Sequence, residues 1–279
     1  MSAGLDGKLL VAAALAYLMA SAAYGAHLFL RTQVLALNGR IAAIVGILAH
    51  TLAIGIHCAD THATPFRTPA ETLSAVAWAV VTAYLLLDLF LKPKPFALGA
   101  FALPAAFLCV FAGAAFEAAH PAETSGPLTT MLDSNLISLH IVAFLLAFGL
   151  LVLAVGCAVF YLIQHRLLKR KKFAGLFGKL PPLSTLEHQA FTLVAFAFPL
   201  LSVGLFSGIV KAAAGGLHGA WLLDPKILAS TVIWLVYGAY LLLHATPAWR
   251  GPRANYLLIG GFLMALLTLF IPTSVHRFG

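Results

Sequence analysis

The sequence predicts an all-α fold: a polytopic transmembrane bundle of about eight spans, with both termini outside the cytoplasm. Three observations carry that prediction. Hydrophobic residues make up 62% of the 279 positions and charged residues only 9%, where a soluble domain carries about a quarter charged residues. The apolar residues collect in long runs rather than at alternating or amphipathic positions. The basic residues collect in every second connection between those runs.

The composition argues for lipid as solvent, because a chain this apolar would expose far too much hydrocarbon to water. A span needs about 20 apolar residues, and candidate runs lie near 9–30, 41–58, 71–91, 96–116, 136–163, 186–210, 226–245 and 254–274. Helices satisfy every backbone polar group internally, as the hydrocarbon demands. The runs are too long and too uniformly apolar for barrel strands. The first run follows Lys8 and contains Ala20-Ser21-Ala22, which resembles a signal-peptidase site. Asp6 offsets Lys8, however, and the apolar residues continue to Leu30, so the run reads as a retained span.

Orientation comes from the loops. Arg31 and Arg40 fall in the loop 31–40, Lys92 and Lys94 in 92–95, six Lys or Arg residues from Arg166 to Lys179 in 164–185, and Arg250 and Arg253 in 246–253. The other side holds Asp60, Glu117, Glu123, Asp133 and Asp224. The positive-inside rule puts the basic loops in the cytoplasm and both termini opposite. The basic loop 164–185, after the fifth run, is expected to divide the helices into two groups. Pro181-Pro182 marks a break before the sixth run, with Ser184 or Thr185 as its cap and Glu187 in its first turn. No loop is long enough for a soluble domain, and the chain reads as one transmembrane domain, 1–279.

The formal charge of +8 does not indicate a nucleic-acid partner, because the cations are split among short loops. Cys58, Cys109 and Cys157 form no CxxC pair and no haem-attachment motif. They read as small buried hydrophobes.

Eleven histidines in so apolar a chain are the unusual feature. A polar side chain in hydrocarbon is costly unless paired or liganded, and neutral imidazole binds haem iron, zinc and copper. His57, His62, His120, His140, His218 and His276 fall near the outer face. His27, His165, His188 and His244 fall near the inner one, and His50 lies mid-span. His50 and His57 are seven apart on one run and so share a helix face. That spacing fits either a stepwise polar track or two unrelated packed residues. The segment Leu217-His218-Gly219-Ala220-Trp221-Leu222-Leu223-Asp224-Pro225-Lys226 joins the sixth and seventh runs on the outer face. It reads as an interfacial tryptophan followed by an Asp-capped, Pro-started helix.

That segment resembles the cytochrome c assembly superfamily of haem-handling membrane proteins, and within it the HemX-like, CcsA-related branch. The family's external loop is tryptophan-rich and ends in W-x-W-D-P-K, matched here by Trp221-Leu222-Leu223-Asp224-Pro225-Lys226. His140 opening the fifth run, His276-Arg277-Phe278-Gly279 at the C-terminus, and Ile233-Trp234-Leu235-Val236-Tyr237 leading to His244 are similar to further family positions. So are Leu180 to Glu187, Glu71 with Trp78, and the segment holding His50. The likeness is strongest over 136–279. The tryptophan signature is thinned, with Leu222 and Leu223 replacing part of it. That departure counts against a full cytochrome c synthetase.

The resemblance implies non-covalent haem b, with His140 and His276 as axial ligands to iron and Trp221 as an aromatic shelf. Asp224 would be a partner behind the ligands, and Arg277 and Lys226 would meet the propionates. His244 and His50 are candidates for a deeper haem position, with His27 an alternative partner for His244. The implied function is haem handling or delivery for cytochrome c assembly in the bacterial inner membrane, without stand-alone catalysis. Partners would be haem, membrane lipid, and other maturation proteins or apocytochrome c. Two alternatives stay open: a regulatory or scaffolding protein of tetrapyrrole metabolism without haem, and a membrane haem oxidoreductase.

Overall fold

The computed structural model describes residues 4–61, 68–90, 95–119, 135–171, 177–214 and 223–268. Among them are eight long α-helices: α1 (Leu5–Leu30), α2 (Gln33–Thr61), α3 (Pro69–Phe90), α4 (Phe96–Ala119), α5 (Asn135–Lys169), α6 (Leu183–Ala214), α7 (Pro225–His244) and α8 (Pro252–Thr268). No strand occurs among the described residues. The helices α1 to α7 are long and apolar enough to cross a membrane. The described part of α8 is 17 residues long. The all-helical membrane fold expected from composition is thus present.

The chain divides into two compact units. The first contains α1–α4 and the short segment Gly178–Leu180; the second contains α5–α8. The division therefore falls between Ala119 and Asn135 and not at the basic loop 164–185. Each unit is a closed circuit of sequence-adjacent helices. In the first, α1 packs on α2, α2 on α3, α3 on α4, and α4 back on α1. In the second, α5 packs on α6, α6 on α7, α7 on α8, and α8 back on α5. The sequence shows no repeat that announces this shared circuit.

Small residues let the helices of the first unit approach closely. The buried positions of α2 are Ala36, Gly39, Ala43, Gly46, His50 and Ala53, spaced alternately by three and four. Tyr17 and Tyr24 of α1 fill the space so left: a Cβ on Gly46 would stand 2.7 Å from Tyr17 Cε1, and one on Gly39 3.1 Å from the Tyr24 ring. In lipid such close packing is the main attraction between helices, because their apolar faces gain nothing by leaving hydrocarbon.

Three boundaries differ from those expected. The loop 31–40 shrinks to Arg31 and Thr32. Arg31 closes α1 in the left-handed conformation (φ 52°), and α2 then runs from Gln33. Arg40 is a helix residue whose Nε and Nη2 reach Asp88 of α3 at 2.7 and 3.2 Å. Hydropathy ended this helix at its first cation, whereas the ion pair keeps that cation within it. The fifth helix continues past its apolar run to Lys169, since helical hydrogen bonding does not stop where hydrocarbon does. The sixth begins at Leu183, with Leu186 N donating to Pro182 O. Ser184 and Thr185 therefore lie inside the first turn and do not cap it.

Candidate functional site

The predicted residues fall into distinct settings. Trp221, His276 and Arg277 lie outside the described residues, as do His62, His120 and His218. His50 belongs to the first unit; His140, Asp224 and His244 belong to the second.

His140 sits in the second turn of α5, half-buried against α6. Its Nδ1 is 2.7 Å from the carbonyl oxygen of Gly204. A carbonyl can only accept, so Nδ1 carries the proton and the lone pair of the neutral ring falls on Nε2. Metal-ligating histidines likewise donate from one imidazole nitrogen to a backbone carbonyl, a carboxylate or water. The seat depends on missing side chains. A Cβ on Gly208 would lie 2.6 Å from His140 Nδ1 and Cε1, and one on Gly204 2.8 Å from Phe144 Cδ2. Phe144, one turn along α5, meets the His140 ring edge-on with centroids 4.9 Å apart.

The start of α7 lies close by. Asp224 is buried and caps that helix, its Oδ1 accepting from Lys226 N at 2.9 Å and Ile227 N at 3.3 Å, with Pro225 at the first helical position. The capping role expected of Asp224 is therefore realised. Its Oδ2 is buried with no hydrogen-bond partner among the described residues. The Lys226 ammonium lies within electrostatic range of both the Asp224 carboxylate and the His140 ring. The structure thus brings His140, Asp224 and Lys226 into one neighbourhood.

His244 is separate from it. It ends α7, a helix of 20 residues that starts at Pro225, so at about 1.5 Å per residue the two ends are roughly a membrane thickness apart. Its ring stacks on Phe191 at 4.5 Å and near Tyr240 at 5.9 Å, and Nδ1 is buried with no hydrogen-bond partner among the described residues. Arg250 Nε donates to the His244 carbonyl, and Glu187 accepts from Gly251 N at 2.9 Å. Those two bonds hold the turn that follows His244.

His50 is fully buried, and both ring nitrogens are engaged: Nδ1 with the Tyr17 hydroxyl at 3.1 Å and Nε2 with the Ser74 hydroxyl at 2.8 Å. His57 shares its face, as the spacing predicts. Its Nδ1 meets Asp6 at 3.1 Å and its Nε2 meets Glu71 at 3.5 Å. Both histidines bridge α1 to α3, so they form two rungs of one polar seam. Trp78 Nε1 donates to Thr51 Oγ1 at 2.9 Å beside it. For His50 to ligate iron, one of its two hydrogen bonds would have to break. His27 donates from Nδ1 to Thr32 O at 2.9 Å. A cleft of about 330 Å³ at the start of α2, lined by Gln33, Val34, Leu37, Arg40 and Phe96 among others, includes none of the predicted ligands.

Sequence reasoning passed over Gly204, Ser207 and Gly208. A signal was there: Gly-x-x-x-Gly in an apolar helix marks a close-approach face. It was masked by the many glycines and alanines elsewhere in the chain.

Residues 66–278 match the family described as "Cytochrome C assembly protein". The chain belongs to the cytochrome c assembly protein family. The match covers α3–α8 and begins after α2. Among individual members, the chain is 25% identical over 256 residues to the cytochrome c biogenesis protein CcsA of Guillardia theta, covering 85% of this chain and 83% of that protein. It is 27% identical over 215 residues to protein HemX of Bacillus subtilis (strain 168), covering 77% and 75%. It is 25% identical over 325 aligned positions to CcsA of Gloeobacter violaceus, covering 97% and 93%. Cys58, Cys109 and Cys157 are free thiols.

Proposed function

We propose that this protein binds haem non-covalently and handles or delivers it for cytochrome c assembly. The observation that carries the reading is the His140 imidazole, turned by the Gly204 carbonyl so that Nε2 is its Lewis-basic atom. Haem b needs an axial nitrogen, an apolar or aromatic wall and cations for two carboxylates. His140, Phe144 and Lys226 have those chemistries in one place, so the described residues fit the group. His276 is the proposed second axial ligand, Trp221 the shelf, and Arg277 a second partner for the propionates, with which charge-assisted hydrogen bonds are strong. Bound haem would supply an iron centre whose ligands can be exchanged for those of a receiving protein.

The chain's own residues hold and orient the cargo. Gly204 fixes the His140 proton, and Asp224 fixes the start of α7 and with it Lys226. The proposed place of this site is the outer face of a bacterial inner membrane, with both chain termini on that side. Other maturation proteins or apocytochrome c are the proposed partners, in keeping with the names of the CcsA relatives. His244, stacked on Phe191, is proposed as a separate inner position. His50 is a less suited candidate for such a position, because both of its nitrogens are occupied.

The test is an absorption spectrum of the purified protein, oxidised and reduced. A bis-histidine, low-spin spectrum is expected, lost on His140→Ala and on His276→Ala. Haem-free protein that fails to take up added haem would overturn the reading. Leu223, standing where the family resemblance expects tryptophan, favours as second reading a haem-free regulatory role in tetrapyrrole metabolism. Capture of a tetrapyrrole-synthesis enzyme by haem-free protein would support it.

A further inference from the structure

The carbonyl that orients His140 is shared. Gly204 O receives His140 Nδ1–H at 2.7 Å and stands 3.0 Å from the buried hydroxyl of Ser207, whose nearer acceptor is Val203 O at 2.6 Å. One turn on, Gly208 leaves the space in which the imidazole lies, 2.6 Å from where its Cβ would be. Three residues of α6 therefore act on one ring: one admits it, one takes its proton's hydrogen bond, and one competes for that acceptor.

We propose that Gly208, Gly204 and Ser207 are positioning residues that set both the direction and the donor strength of the His140 imidazole. The proposal rests on the reading of His140 as a haem ligand. An acceptor on Nδ1–H pushes electron density through the ring towards Nε2 and stabilises ferric over ferrous iron. A second donor on the same carbonyl draws density away and weakens that push. A serine in an apolar helix commonly bonds back to its own i−4 carbonyl and nothing more. In that ordinary case His140 would be indifferent to Ser207. The 3.0 Å approach to Gly204 O makes Ser207 a moderator of the ligand, and loss of its hydroxyl should strengthen the His140–Gly204 bond. A methyl group at 208 should instead push the ring off its seat and release the tautomer.

The test begins with haem-free protein in nanodiscs, carrying ¹⁵N-labelled histidine, with the His140 signals identified by their loss in His140→Gln. The wild type is expected to show the Nδ1–H tautomer. Ser207→Ala should move the Nδ1 proton downfield, and Gly208→Ala should give a mixture of tautomers. In haem-loaded protein, Ser207→Ala should lower the midpoint potential. Gly208→Ala should lose the His140-ligated spectrum, with partial rescue by added imidazole. An Nε2–H tautomer in the wild type, or signals that neither variant moves, would overturn the proposal. Should Gly208→Ala fail to fold, Ser207→Ala decides alone. A seated Nδ1–H ring in a protein that never takes up haem would leave the seat standing and remove the haem reading.

Discussion

His50 and His140 make the instructive pair, one in each four-helix unit. Both sit on helices long and apolar enough to cross a membrane, His50 fully buried and His140 half-buried. His50 spends both nitrogens on hydroxyls, Tyr17 and Ser74. His140 gives Nδ1 to a backbone carbonyl that can only accept. The first ring is held by two side chains; the second has its tautomer set by the backbone of a neighbouring helix. The same contrast extends to the units around them. Polar groups in the first unit answer one another, as Arg40 does Asp88 and His57 does Asp6 and Glu71. At the start of α7 the Asp224 carboxylate uses one oxygen as a cap and leaves the other, buried, without a partner among the described residues. Satisfied polar groups in lipid specify structure, and directed ones point to function.

The contrast is easiest to break at His140. His140→Ala should lower haem content more than tenfold, read from the Soret band per protein, while unfolding in mixed micelles changes little. Equal haem content would erase the distinction between the two histidines. In the first unit, Asp88→Ala strands the Arg40 guanidinium and should cost about 3 kcal/mol, measured by the same unfolding assay, with haem content retained. His50→Ala removes two hydrogen bonds and opens a cavity. It should cost about 2 kcal/mol, again without loss of haem; loss of haem at unchanged stability would move His50 into the binding site. Asp224→Ala should cost about 1 kcal/mol as a lost cap. Asp224→Asn should cost less, so any matching fall in haem affinity of both variants would mark the second oxygen as part of the site. Trp78→Phe, which removes the bond to Thr51 and part of the ring, should cost about 0.6 kcal/mol for the lost bond.

Much of the fold was legible because hydrocarbon imposes so simple a rule. Apolar runs located the eight long helices among the described residues, and the Asp224-Pro225 start of α7 was readable to the residue. Boundaries failed where a polar residue stayed helical. Arg40 remains in α2 because Asp88, 48 residues away, pairs with it, and no local pattern announces that. The ends of α5 and α6 failed for the related reason that helices extend beyond the apolar layer. At the site, residue types marked His140 and Asp224. They did not distinguish His140 from His50, since that difference lies in which atoms face each ring. Ser74 and Tyr17 are as ordinary in sequence as Gly204.

The small-residue stripe of α2 has a consequence for how this chain can vary in length. Ala36, Gly39, Ala43, Gly46, His50 and Ala53 keep one face towards α1 over more than four turns. Inserting or deleting one residue between Arg40 and His50 would turn everything on one side of the change by about 100° relative to the other. Arg40 could then keep Asp88 only if both histidines left their hydroxyl and carboxylate neighbours, or the reverse. The helix should accept many replacements along its lipid-facing side and no shift of frame at all.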